Sequence, residues 1–242
     1  MERPVTKEIK CYARCVLTGK HASLAGITLL VAALNLLLSY LALQAAPYDS
    51  GAISIILYFG CSILVNMIYY ILLAGLYDIY LDIVNNRSYT WKNLFYAFTE
   101  HPEPVAIYSL IQYALYYVFT QVVVWWLAVV INWIFYGEAK NLIISTAVLL
   151  IAVILFLYIQ ISFAMVLFVH ADDPDKSFTE MIMEGWQLMG GMRPRYFTMM
   201  LSFIGMYLLG VLSLGIGFLF INPYVFATKG YFYKTIESGK SE

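Results

Sequence analysis

Charge is scarce in this sequence. Of 242 residues only 12% are Asp, Glu, Lys or Arg, about half the roughly 25% of an ordinary soluble domain. The 14 Lys and Arg nearly balance the 15 Asp and Glu, for a net charge of −1, which excludes the basic footprint of a nucleic-acid binder. Three cysteines are too few for a secreted disulfide scaffold. Catalytic signatures are missing too: there is no glycine-rich nucleotide loop, no Gly-x-Ser-x-Gly and no His-Glu-x-x-His. Cys11 and Cys15 stand four apart, but His21, His101 and His170 lie at none of the usual zinc-ligand spacings. His170-Ala171-Asp172-Asp173-Pro174-Asp175 lacks the alternating oxygen ligands and closing glutamate of a calcium loop, and reads as the end of one helix and the start of another. No catalytic residue, metal or cofactor is expected, and the chain does not read as an enzyme.

What the sequence has is apolar residues, 62% of the chain, and a mean hydropathy of +0.76. A soluble fold of this size could not hide that much apolar surface, so the composition is that of an all-α membrane protein. A spanning helix needs about 20 mostly apolar residues. Such runs extend from Ser23 to Gln44, Ile53 to Leu76, Val105 to Tyr136 and Leu142 to Val169. The first is full length and preceded by polar and amphipathic sequence, so it reads as a retained span rather than a signal peptide. Ala46-Pro47-Tyr48-Asp49-Ser50-Gly51 follows it as a turn. A fifth apolar region, Phe197 to Tyr233, is interrupted by Leu212-Ser213-Leu214-Gly215-Ile216-Gly217 and divides there into two helices, giving six spans.

The cations support that number. With six spans, every Lys and Arg except Lys140 falls on one side: Arg3, Lys7, Lys10, Arg14 and Lys20; Arg87 and Lys92; Lys176, Arg193 and Arg195; Lys229, Lys234 and Lys240. By the positive-inside rule that side, with both termini, is cytoplasmic. Three cytoplasmic segments resemble one another, opening at Thr6, Thr90 and Ser177. Each begins with a residue suited to an N-cap, and Ser177 with Glu180 forms a capping box. Each carries an apolar face: Ile9, Tyr12 and Val16; Leu94, Phe95 and Phe98; Met181, Ile182 and Leu188. The expected layout is one membrane domain of three repeated units, each an amphipathic surface helix followed by a transmembrane hairpin. Its parts are residues 1–22, 23–84, 88–170 and 176–236, with a tail at 237–242.

Leu201-Ser202-Phe203-Ile204-Gly205, Leu208-Leu209, Leu214-Gly215-Ile216-Gly217, Pro223-Tyr224, Thr228 and Phe232-Tyr233 follow one another in the last third. This pattern resembles a bacterial integral membrane family catalogued as domain of unknown function nine-seven-five. Met206 stands where that family usually has tryptophan, and Ser213 where it usually has threonine. The resemblance implies a six-helix protein of the bacterial cytoplasmic membrane and transfers no catalytic residue.

Candidate contact residues are few. Asp78 and Asp82 share a helix face and suit a cation, or face water, Arg87 and Lys92. Asn35, Asn66, Gln112, Gln121, Asn132, Gln160 and Asn222 either bond across helices or line a polar cavity. Asn222-Pro223 is expected to interrupt the sixth helix. With Gly205, Gly215, Gly217 and Tyr224 it forms the most irregular membrane region, a candidate lipid or ligand contact. Trp125, Trp126, Trp133 and Tyr136 read as an interfacial belt or an outward-facing ligand cluster. Cys11 and Cys15 suit packing or acylation at the membrane surface. The expected role is binding of membrane lipid, an amphiphile, a protein partner or a second copy, with a small transporter or exporter subunit as the alternative.

Overall fold

The computed structural model describes residues 6–45, 51–136 and 141–239. The turn expected at 46–50, together with Arg3, Lys140 and Lys240, lies outside the described residues. Every regular element among the described residues is helical. In chain order they are α1 (Thr6–Leu17), α2 (His21–Ala45), α3 (Ala52–Val84), a 3₁₀ turn (Trp91–Phe95), α4 (Tyr96–Thr99), α5 (Pro102–Tyr136), α6 (Leu142–Ser162), α7 (Val166–Asp172), α8 (Phe178–Leu188), α9 (Arg193–Leu201), α10 (Ile204–Leu212) and α11 (Phe218–Ser238).

Five stretches are long and apolar enough to cross a membrane: His21–Gln44, Ala52–Val84, Pro102–Phe135, Leu142–Asp172 and Arg193–Leu212. These are the helices of a membrane protein, and they match the first five expected spans. The expected sixth falls on α11, which is a separate helix as anticipated but is not among the five. Lys229, Lys234 and Glu237 in its second half dilute its apolar character. Two of the five are jointed. The chain turns at 163–165 between α6 and α7, where Ser162 Oγ bonds back to the Tyr158 carbonyl at 2.8 Å and Ala164 N–H reaches Ile161 O at 3.2 Å. The joint between α9 and α10 has the same chemistry, with Ser202 Oγ on the Met199 carbonyl and Phe203 N–H on Met200 O. A hydroxyl competing for helix carbonyls, with i→i−3 bonds replacing i→i−4, bends a helix without ending it.

Burial is uneven along the bundle. Tyr80 and Ile83 of α3, Phe168 of α7, Phe232 and Tyr233 of α11, and Ile9 and Leu17 of α1 are all nearly inaccessible. They meet in one core at the end where α3 and α11 finish. Gly230 lets α11 close on it, since a Cβ there would already touch Val84 and Phe168 at 3.3 and 3.4 Å. Elsewhere the long helices turn apolar side chains outward, with Phe135 75% exposed and Ile143 81% exposed. Water would penalise such surface by about 25 cal/mol per Å². Lipid tails are as apolar as leucine and impose no such penalty.

The three amphipathic segments pack on protein. α1 turns Ile9, Ala13 and Leu17 inward against α11 and α3, a face shifted from the expected Ile9, Tyr12 and Val16. α8 buries Met181, Gly185 and Leu188 against α7 and α5. Its capping box forms as expected, with Ser177 N–H donating to Glu180 Oε2 at 2.9 Å. The second segment is not one amphipathic helix. It is the 3₁₀ turn plus α4, and it buries Leu94 and Ala97 while Phe95 and Phe98 stay 41% exposed. The cause is Gly75 of α3, where any Cβ would collide with the backbone carbonyl of Leu94. The turn is drawn flat against α3 there.

Candidate functional site

A cavity of about 830 Å³ is walled by α2, α3, α5, the α6–α7 joint, α9 and α11. Its polar lining follows helical spacing. On α3, Tyr58, Ser62, Asn66, Tyr69, Tyr70 and Tyr77 repeat along one side of an otherwise apolar helix. α5 adds Tyr108, Tyr113 and Tyr116, α2 adds Asn35 and Ser39, and α9 adds Tyr196. Residues three, four or seven apart share a helix face, so each stripe points one way.

Amides organise the wall between α5 and α6. Gln112 is fully buried. Its Nε2 donates to Tyr108 Oη at 2.9 Å, and its Oε1 accepts from Gln160 Nε2 at 2.9 Å. Tyr108 meets Tyr70 edge to face at 5.6 Å, tying the α5 stripe to that of α3. Asn66 differs. Its Oδ1 is buried and has no hydrogen-bond partner among the described residues. Five of the seven amides therefore divide. Gln112 and Gln160 bond across helices, Asn35, Asn66 and Gln160 line the cavity, and Asn132 returns to its own helix at Ala128 O.

Among the described residues one charged side chain lines this cavity, Lys229 of α11. It counts among the C-terminal cations by sequence, yet its Nζ sits 5.5 Å from the centre of the Phe226 ring. Phe226 lines the cavity as well and stacks on Tyr80 at 5.2 Å. The spacing of Phe226 and Lys229 was readable as one face of α11, but a lysine near a terminus counts first as a loop charge. The tyrosine stripes were likewise hidden by the abundance of tyrosine in the chain.

The residues expected to make the contact site stand elsewhere. Gly215 takes a left-handed φ of +91° in the α10–α11 turn, which its missing Cβ permits. Gly217 N–H donates to Ser213 Oγ at 2.8 Å, and a Cβ on Gly217 would lie 2.8 Å from Gly210 Cα. Gly205 faces open space. α11 runs through Pro223 without interruption, contrary to the expected break. The proline falls in the second turn, so only the Leu219 carbonyl loses its donor. Pro223 and Tyr224 are buried, and Asn222 is half-buried. Tyr224 is engaged by α1: its hydroxyl accepts from Arg14 Nε at 3.1 Å and donates to the Lys10 carbonyl at 3.4 Å. Lys10 Nζ lies 3.9 Å from the Phe203 ring centre, and partial burial, then Arg14, lowers its pKa. None of the six lines the 830 Å³ cavity.

Asp78 and Asp82 are brought together, though by an amide. Asn93 Nδ2 donates to Asp78 Oδ2 and to Asp82 Oδ2, each at 3.2 Å, while its Oδ1 accepts from Thr90 at 2.8 Å. The backbone contact at Gly75 puts Asn93 in reach of both. No group of three or more possible metal ligands occurs among the described residues.

At the same end lies an acidic cluster. Asp172 closes α7 and accepts from Tyr233 Oη at 3.4 Å. Lys176 bonds Glu184 at 2.9 Å and approaches Asp173 at 3.6 Å, and these partners outweigh its burial to raise its pKa. Burial, then a hydrogen bond shared with Asp172, pushes Glu237 up to about 7. His170 is fully buried, stacks with Tyr96 at 6.2 Å and has no partner for either ring nitrogen among the described residues. Cys11 and Cys15 are exposed free thiols. Trp126 Nε1 donates to Thr146 at 3.2 Å, and Trp125 and Trp133 face outward.

A family model for proteins of unknown function, DUF975, matches residues 1–240. The chain belongs to the DUF975 family. The match takes in α1 through α11, so every wall of the cavity lies within the family's shared region. No curated protein and no solved structure matches the chain.

Proposed function

We propose that this DUF975 protein is a non-catalytic six-span protein of the bacterial cytoplasmic membrane, with both termini inside, that holds an amphiphile in its tyrosine-lined cavity. One observation carries the reading: an 830 Å³ space among apolar helices, lined by tyrosines and amides, in which the Asn66 carbonyl is buried with no donor among the described residues. Ligand pockets run from about 300 to 1,000 Å³ and combine apolar walls with a few placed polar groups. A buried acceptor left unpaired costs about 1–3 kcal/mol, which a ligand donor or a bound water recovers.

The three-hairpin layout is part of this proposal. Gln112 pairs with Gln160, Tyr116 with Phe156 and Trp126 with Thr146, so α5 and α6 run in opposite directions. Phe203 against Tyr224 and Tyr207 against Phe218 give α10 and α11 the same relation. A sixth crossing by α11 returns the C-terminus to the side of the N-terminus, as the distribution of cations requires.

Native mass spectrometry of the protein released from its own membrane tests the binding. The wild type retains one amphiphile per chain. Ala164→Trp and Ser62→Trp, which fill the cavity from α6–α7 and α3, do not. Equal retention by all three overturns the reading. Transport of the ligand is a second reading, favoured by the cavity's length. Tyr58 and Tyr77 both line it, which at 1.5 Å per residue spans about 28 Å of helix, close to a hydrocarbon core of about 30 Å. Uptake or efflux by reconstituted vesicles that the same tryptophans abolish would favour it.

A further inference from the structure

The cavity mixes aliphatic side chains and aromatic rings with hydroxyls and amides along its length, and it is electrically one-sided. Its described lining holds one cation, Lys229, and no carboxylate. The salt bridges of the described residues join other groups, His101 with Asp175 and Lys176 with Asp173 and Glu184. Lys229 has the Phe226 ring as its neighbour instead, and a ring face attracts an ammonium without neutralising it. Desolvated cations in proteins are paired with anions, and an ionisable side chain among membrane helices marks a functional site by default. The opposite end of the cavity, at Leu43 and Tyr58, has no charged side chain among the described residues and lies about 28 Å away along α3. A long neutral slot closed by a single unpaired cation has the charge pattern of a ligand with one anionic head and one apolar tail.

Resting on the amphiphile reading above, we infer that the occupant is a single-chain amphiphile with an anionic head group, carboxylate or monophosphate, whose head pairs with Lys229 while its chain lies along the tyrosine stripe of α3. Tyr70 and Tyr108 pack edge to face in the cavity wall, ring centres 5.6 Å apart, and hold the α3 and α5 stripes together.

Three probes with the same chain separate head from tail: oleate, oleyl phosphate and oleyl alcohol, titrated against the full-length protein in neutral detergent. The wild type is expected to bind at least one anionic probe about tenfold or more tighter than the alcohol, the worth of one charge-assisted hydrogen bond. Oleate alone showing the preference identifies a carboxylate head, and oleyl phosphate alone a phosphate head. Lys229→Met removes the preference, and Lys229→Arg keeps it. If wild type binds all three equally, with Ala164→Trp still blocking them, the anionic head is overturned and the amphiphile cavity stands. If no probe binds, or Ala164→Trp binds as the wild type does, both fall.

Discussion

The carboxamide of Gln160 donates to that of Gln112 at 2.9 Å across the α5–α6 contact. Because Gln112 is fully buried and spends its own donor on Tyr108, this one pair fixes where the α5 stripe faces. Gln112→Leu is expected to destabilise the protein by about 0.6–1.7 kcal/mol, the range of interhelical hydrogen bonds in a bilayer, with Gln160→Leu costing a similar amount. Unfolding in mixed micelles of increasing SDS fraction measures both. No change in either would mean that the pair does not hold α5 to α6.

Gly75 makes a second prediction. A methyl there collides with the Leu94 backbone, which has no rotamer to yield. Gly75→Ala is expected to cost about 1–3 kcal/mol as overpacking and to lift Asn93 from Asp78 and Asp82. Hydrogen exchange at residues 91–95 reads this directly: the wild type is protected, and Gly75→Ala exchanges faster there than at α5.

Glu237 gives a pH dependence. Burial and the bond with Asp172 raise its pKa from 4.5 to about 7, so between those values the folded state holds a proton that the unfolded chain has lost. Stability from this group is present below pH about 4.5 and is lost as pH rises through about 7. Lys176 and Glu184 face the same cluster and modulate it with opposite signs. Thermal unfolding in detergent should show the melting temperature falling from pH 5 to pH 8. Glu237→Gln should flatten that fall. A slope unchanged in the variant would remove Glu237 as its source.

Topology is tested by a tag placed after Glu242. Six spans with the cations inside predict that the tag is labelled only in permeabilised cells. Labelling in intact cells would put α11 on the membrane rather than through it, and five spans would follow.

The long helices were legible because their signal is local: about 20 apolar residues in succession suffice. So was the capping box at Ser177 and Glu180, a four-residue motif. The form of the second amphipathic segment was not, since it depends on Gly75 and Leu94, far apart in sequence and visible only once packed. The site shifted for the same reason. The glycines and Pro223 advertise irregular backbone, but Gly215 serves a tight turn and Tyr224 is occupied by Arg14. The cavity instead rests on tyrosines spread over α3, α5 and α9, each unremarkable alone. On α3, Tyr58, Ser62, Asn66 and Tyr77 stand at helical spacing but are masked by the many other tyrosines, and no sequence rule sets the distance to Lys229 on another helix.

An amphiphile is expected to occupy the space between Lys229 and Tyr58. A crystal structure grown from a lipidic mesophase, with the protein extracted under mild conditions, tests it most directly. One continuous elongated density is expected along the Tyr58–Tyr77 face of α3, its compact end within hydrogen-bond distance of Lys229 Nζ. Separate water-sized peaks, or tyrosine side chains folded in to close the space, would contradict it.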